Sequence, residues 1–151
     1  MAKLREYRVF AIEEGTVIDH IPSPLALKVL QILGLPNEGI MSIGLNFPSK
    51  KLGQKDLIKI ENMYLKEEET NKIALIAPTA TINIIKNHKL IEKRKIRLPD
   101  IIIDIMRCPN PMCITNHEVI HTQFTISEKS PLSARCYYCE REFVITPDVI
   151  I

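Results

Sequence analysis

The chain has 151 residues, 46% of them apolar and 25% charged. That balance excludes a disordered or fibrous protein and leaves room for one ordinary domain, or for one domain of about 100 residues with a small module attached. The formal net charge is only +2, too small to make the whole molecule a polyanion binder. No apolar run approaches the roughly 18 to 20 residues that cross a bilayer, and the charged opening Met1 to Arg8 has no secretory pattern. A cytoplasmic protein with no membrane partner is expected.

Leu4 to Ile12 reads as a first strand, with Gly15 turning the chain back into the extended Thr16-Val17-Ile18. Ser23-Pro24 offers an N-cap and a proline at the first helical position, and Leu25, Ala26, Val29, Leu30, Ile32 and Leu33 recur at helical spacing until Gly34. A first helix over Pro24 to Leu33 is therefore predicted. Ile40 to Phe47 reads as a strand, Lys50 to Gln54 as a hairpin loop and Asp56 to Leu65 as the returning strand. Period-two alternation puts Leu57, Lys59, Glu61 and Met63 on one face of it. Glu67-Glu68-Glu69 suits the start of a second helix, which Pro78 closes. Ala80 to Ile85 and Lys89 to Ile96 flank the polar turn Lys86-Asn87-His88. The resulting order is the split βαβ, ferredoxin-like pattern with one strand added, an α+β fold in which two helices cover one face of an antiparallel sheet. Such a fold hosts many functions and settles none.

Near Pro99 the pattern changes to short segments punctuated by Cys, Pro and Asn, which divides residues 1–98 from 99–151. Ile101 to Met106 reads as an apolar connector, and Val119 to Ser127 and Arg141 to Ile145 as strands of a small antiparallel β domain. Cys108-Pro-Asn-Pro-Met-Cys113 and Cys136-Tyr-Tyr-Cys139 are two knuckles that fit one tetrahedral site. Two disulfides or a redox Cys-x-x-Cys are the alternatives, but four crowded thiols in a reducing compartment favour metal. With four thiolates the site has no open position, so one structural zinc is expected, and His117 and His121 are expected to be loop histidines.

Lys86, Lys89, Lys93, Arg94, Lys95 and Arg97 are opposed within their stretch only by Glu92. They suit either an edge strand guarded against pairing or an anion site. Asp19 and His20 suggest acid–base chemistry, yet neighbours on extended chain point to opposite faces, so a turn-capping Asp and a half-buried His are the plainer expectation. Lys59 and Lys93 could converge on one anion, depending on strand order. The chain contains no GxxxxGK[ST], GxGxxG, G-x-S-x-G or HExxH motif, which points to binding rather than catalysis.

Gly15-Thr16-Val17-Ile18-Asp19-His20-Ile21-Pro22, Ile43-Gly44-Leu45-Asn46, Lys55-Asp56-Leu57-Ile58-Lys59-Ile60-Glu61-Asn62, Ala77-Pro78 and the two cysteine knuckles together resemble the regulatory chain of aspartate carbamoyltransferase, from about Val9 to Phe143. The resemblance implies a non-catalytic subunit of pyrimidine biosynthesis, with an N-terminal domain that binds CTP, ATP and UTP. It also implies a C-terminal zinc domain, closed by Cys108, Cys113, Cys136 and Cys139, that touches the catalytic chain. Regulatory chains of that family form homodimers within a larger hetero-oligomer. By position, base and ribose contacts would fall on Ala11, Ile12, Val17, Asp19 and Ile85. Phosphate contacts would fall on His20, Lys93 and the loop around Lys55, with Lys59 and Asn83 reaching ribose or base. His88 and Leu90 stand where relatives often carry Tyr and Val, which bears on base preference. The competing readings are a zinc-ribbon protein that binds nucleic acid through the basic run, and a small enzyme using Asp19 and His20. The first is disfavoured because the run lies outside the zinc domain and few aromatics lie near it, the second because no catalytic partner is evident.

Overall fold

The computed structural model describes residues 11–34 and 39–151. Most of the first predicted strand, from Leu4 to Phe10, lies outside the described residues, and Ala11 and Ile12 are not in a strand. The first described strand, β1, instead starts at Gly15 and runs to Pro22. Gly15 is thus the first residue of a strand rather than a turn. Its φ is 143°, and an added Cβ would lie 2.0 Å from the Ile60 carbonyl oxygen, so no side chain is accommodated there.

Helix α1 (Ala26–Leu33) is followed by β2 (Met41–Ser49), β3 (Gly53–Glu61), α2 (Glu67–Ala74), β4 (Thr81–Lys86) and β5 (Lys89–Lys95). The sheet order is β2-β3-β1-β4-β5, with every neighbouring pair antiparallel. This is the ferredoxin-like order with β5 added beside β4. Strand β3 sits earlier in sequence than predicted, because Asn62 takes a φ of 57° and ends it. Ile18, Ile58, Ile60, Ile82 and Ile84 form the helix-facing side of the sheet and pack with Ala26, Val29 and Ile73 in one buried cluster. The turn Asn87-His88 joins β4 to β5 with φ of 51° and 63° at the two positions, the pairing that a two-residue hairpin of matching twist requires.

Both helix boundaries differ from the sequence reading. Helix α1 does not begin at Pro24: Ser23 and Pro24 form a turn, and the cap is supplied from far along the chain. Asp56, which is fully buried, accepts from Ala26 N at 3.1 Å and from Asn46 N at 3.0 Å. One carboxylate therefore fixes the start of α1 and the irregularity in β2 between Gly44 and Phe47. Helix α2 ends at Ala74, short of Pro78. Lys66 N donates to the Glu69 carboxylate at 3.1 Å at its start, and Leu75 leaves the helix to pack elsewhere.

The remaining strands are β6 (Ile101–Ile103), β7 (Gln123–Lys129), β8 (Leu132–Cys136) and β9 (Glu142–Val144). They form a second antiparallel sheet in that order. Ile101–Ile103 is an edge strand rather than a connector, β8 has no counterpart among the elements predicted from sequence, and the strand predicted from Val119 begins only at Gln123. A separate buried cluster of Ile102, Met106, Phe124, Ala134, Ile145 and Val149 fills this sheet, and Leu75 from the end of α2 belongs to it. Ile73, two residues earlier, belongs to the first cluster, so the end of α2 contributes to both cores.

Replacing Asp56 by Ala leaves the N–H groups of Ala26 and Asn46 without their acceptor. Loss of about 2 to 4 kcal/mol of stability is expected, read as a lower denaturant midpoint, with a smaller loss for Asp56→Asn.

Candidate functional site

The helices cover one side of the five-stranded sheet, and the predicted site residues collect on the other. Val17 pairs with Lys59 on β3 and with Asn83 on β4, and Asn83 pairs with Lys93 on β5. Directly opposed residues share a face, so Lys59, Val17, Asn83 and Lys93 make one row across four strands. Two residues along, Asp19 lies opposite Thr81, which lies opposite Lys95. In the other direction Gly15 lies opposite Ile85. Ala11 and Ile12 precede that end of β1, Ala11 exposed and Ile12 buried. A cavity of about 210 Å³ between α2 and β5, lined by Thr70, Asn71, Arg94 and Arg97, lies on the helix side and contains none of the predicted residues.

Asp19 and His20 do not alternate in the simple way expected. His20 has a φ of 56°, and β1 is irregular between Ile18 and Ile21. The His20 N–H therefore donates to Asp19 Oδ1 at 2.7 Å, and the ring Nδ1 lies 4.0 Å from Asp19 Oδ2 and 3.0 Å from Thr81 Oγ1. Asp19 also meets Lys55, whose Nζ is 3.0 Å from Oδ1 and 3.2 Å from Oδ2. Burial pushes the His20 imidazole below its ordinary pKa; Asp19 pulls the other way, while Lys55, Lys93 and Lys51 push it down further. Burial likewise lowers Lys59, again opposed by Asp19. The face thus gathers Lys55, Lys59 and Lys93 near Asp19 and His20, with Lys59 held at some desolvation cost, a setting in which an anion binds well. Asn83 Oδ1 is buried with no hydrogen-bond partner among the described residues, whereas buried polar atoms are ordinarily paired.

Thr81 and the direct Lys55–Asp19 pair were not read from the sequence as parts of this group. The alternation of Lys93 and Lys95 could have suggested that both face one way, but nothing local marks Thr81. Its position follows from the register of β4 against β1.

In the second sheet the four cysteine sulfurs lie within 4.8 Å of one another, and no disulfide is formed. Cys108 and Cys139 are 3.7 Å apart and Cys113 and Cys136 are 3.8 Å apart, sulfur to sulfur. A tetrahedral ion with bonds to sulfur of about 2.3 Å sets its ligands about 3.8 Å apart, so the cluster has the dimensions of a metal site. The knuckles are held by Cys113 N donating to Asn110 O at 3.0 Å and Cys136 N donating to Arg141 O at 3.0 Å. Asn116 Nδ2 donates to the carbonyls of Cys108 and Asn110 at 3.0 and 2.7 Å. Burial pushes the Cys108 and Cys136 thiols up. At Cys139 burial also works against ionisation, but the Arg141 N–H, with Asn110 and the Cys108 thiol, holds the group at about 7. Buried thiols that resist ionisation need a cation to carry them as thiolates. His117 and His121 stay outside the cluster. His117 Nε2 meets Pro111 O at 2.8 Å, and His121 Nδ1 meets Asp104 Oδ2 at 2.6 Å.

Comparison with known proteins matches both halves to one family. Residues 7–97 match the allosteric domain of the aspartate carbamoyltransferase regulatory chain, and residues 100–146 match its metal binding domain. The chain belongs to the aspartate carbamoyltransferase regulatory chain family. Relatives named as that regulatory chain include one from Pyrococcus horikoshii, 55% identical over 139 residues that cover 90% of this chain and 91% of the relative. Another, from Methanocaldococcus jannaschii, is 49% identical over 141 residues covering 93% and 95%. As a regulatory chain it is a non-catalytic subunit, and its four cysteines make the structural metal site of the metal binding domain. Among the described residues no helix is long and apolar enough to cross a membrane.

Because Cys108, Cys113 and Cys136 belong to the buried cluster of the second sheet, removing the metal should unfold that sheet first. Chelation followed by hydrogen exchange is expected to strip protection from β7 and β8 while β1 and β4 keep theirs.

Proposed function

We propose that this chain carries nucleotide control of aspartate carbamoyltransferase in pyrimidine biosynthesis, binding CTP, ATP and UTP on the open face of the five-stranded sheet. The observation that supports this most is the Lys59–Val17–Asn83–Lys93 row with its buried, unpartnered Asn83 Oδ1. A triphosphate would meet Lys93, His20 and the region of Lys55, and a ribose would offer hydroxyls to Asp19. Lys59 and Asn83 would reach ribose or base. Backbone groups of Ala11 and Ile12, beside Val17 and Ile85, would read the base edge. Lys55 now neutralises Asp19, so phosphate and ribose would divide that pair between them.

In this reading the cysteine centre holds one zinc, closed and structural, since four thiolates leave no position for water or substrate. Residues 1–98 form the effector domain. Residues 99–151 dock onto the catalytic chain, and regulatory chains pair as homodimers within the hetero-oligomer. The protein is cytoplasmic, where free thiols persist, and needs neither nucleic acid nor membrane. A nucleic-acid reading is less well supported, because the basic run belongs to β5 and its flanks rather than to the cysteine domain, and few aromatics lie near it.

Lys93→Ala and Lys59→Ala should each weaken CTP and ATP binding about tenfold or more, the worth of a hydrogen bond to a charged group, measured by calorimetric titration. Unchanged affinity in both variants would remove the site from this face. His20 supplies a pH test. Its depressed pKa favours the neutral ring, so without ligand it contributes stability above about pH 6.5 that is lost as pH falls through the lower folded value. A bound triphosphate raises the same pKa, so affinity should rise on acidification from about pH 8 to 6 more steeply in the native chain than in His20→Gln. With the catalytic chain present, nucleotide should shift the substrate response by a coupling of about 1 to 3 kcal/mol, and a substrate analogue should shift nucleotide affinity by the matching factor. A substrate curve that ignores bound nucleotide would sink the regulatory reading.

A further inference from the structure

The segment leading into β1 is tied down on both sides. Asn62 N donates to Glu14 O at 2.9 Å, and His88 N donates to Glu13 O at 3.0 Å. The Glu14 side chain then binds the same two flanks again. Tyr64 Oη donates to its Oε2 at 2.8 Å, and Asn87 N donates to its Oε1 at 3.2 Å. Lys86 Nζ lies 5.4 Å from the centre of the Tyr64 ring, which holds the phenol from the β4–β5 side as well. Asn62 and Tyr64 follow β3, whereas Asn87 and His88 are the turn between β4 and β5. These flanks are separate in sequence, and at this end of the sheet the segment at Glu13 and Glu14 hydrogen-bonds to both, beside the Lys86–Tyr64 contact. Asn62, Asn87 and His88 all have positive φ, so both flanks are sharp turns whose N–H groups are aimed by backbone geometry rather than by strand pairing.

We propose that Glu14 is a positioning residue for the base end of the effector site: its bridge from Tyr64 to Asn87 fixes the gap between the end of β3 and the β4–β5 turn, and so fixes the backbone at Ala11 and Ile12. This rests on the nucleotide reading above. Backbone N–H and C=O groups discriminate bases by the order of donor and acceptor on the base edge, which is reversed in uracil relative to cytosine and adenine, and by how far that edge stands from the ribose, which is greater for adenine than for cytosine. Discrimination of that kind needs the backbone held to within a fraction of an ångström. A loosened bridge should therefore blur the choice of base more than it weakens the hold on the triphosphate, which is met some strand positions away at His20 and Lys93. The Tyr64 hydroxyl and the Asn87 N–H also hold the Glu14 carboxyl below its ordinary pKa, so the bridge stays charged at any pH near neutrality.

The test uses the full chain, with Glu14→Ala, Glu14→Gln and Tyr64→Phe, titrated calorimetrically with CTP, with ATP and with inorganic tripolyphosphate, which has no base. Glu14→Ala and Tyr64→Phe should each change the ratio of CTP to ATP affinity about three- to tenfold, the scale of one charge-assisted hydrogen bond lost at one remove. Glu14→Gln keeps an acceptor and should recover part of the ratio. The Glu14→Ala/Tyr64→Phe pair should do no more than either change alone, because both break one bridge. Tripolyphosphate affinity should stay at the native value throughout. An unchanged CTP to ATP ratio in both single variants overturns the proposal, and so does a tripolyphosphate affinity that falls in step with the nucleotides, since that is the mark of a merely structural loss. If Glu14→Ala fails to fold, Tyr64→Phe carries the same readout. A native chain that binds tripolyphosphate no better than Lys93→Ala does, and binds no nucleotide, removes the nucleotide reading and this inference with it.

Discussion

The Asp56 carboxylate governs much of the first sheet. Fully buried, it is satisfied by two backbone N–H groups that point at it, those of Ala26 and Asn46. Satisfying a buried carboxylate is obligatory, so α1 must begin where it does and β2 must break its register where it does. The next residue back along β3, Lys55, then emerges on the other side of the strand and reaches Asp19. A core constraint on one side of the sheet thereby orders an ion pair on the other.

The open face shows how a sheet assembles a site from residues that share nothing in sequence. Lys59 and Lys93 are 34 positions apart in the chain, but antiparallel pairing through Val17 and Asn83 puts them in one row. The local departures from regular strand geometry fall at the same place. His20 and Asn46 both take positive φ, and each bears a hydrogen bond that a regular strand would not allow, to the Asp19 and Asp56 carboxylates respectively. Irregularity of this kind is often found at functional sites, and here it allows Asp19, His20, Lys55 and Thr81 to be neighbours.

The two halves share packing at the end of α2. Leu75 leaves α2 to become part of the second core, while Ile73 two residues earlier belongs to the first, so the end of α2 is packed into both. The cysteine centre in turn makes the second sheet a firm body: Cys136 ends β8, and Cys108 and Cys113 lie in the same buried cluster as Phe124 and Met106.

The sequence by itself determined the periodic and short-range features. The α+β class, a first helix with its Gly34 stop, the polar turn at Lys86-Asn87-His88 and the two cysteine knuckles all depend on residues within a few positions of one another, where spacing alone fixes geometry. The regulatory-chain family could be seen in the same way, from motifs strung along the chain. Tertiary structure alone decided what depends on register and burial. The cap of α1 came from Asp56, 30 positions away from Ala26, so the local Ser23-Pro24 signal was overridden. Strand β8 carries Ser133 and Arg135 between turn and cysteine, a pattern too short and polar to declare itself, and it exists because β7 and β9 pair with it. Whether Lys59 and Lys93 share a row was likewise invisible, because strand order is a property of the whole sheet and a one-residue slip would have turned every one of these side chains to the other face.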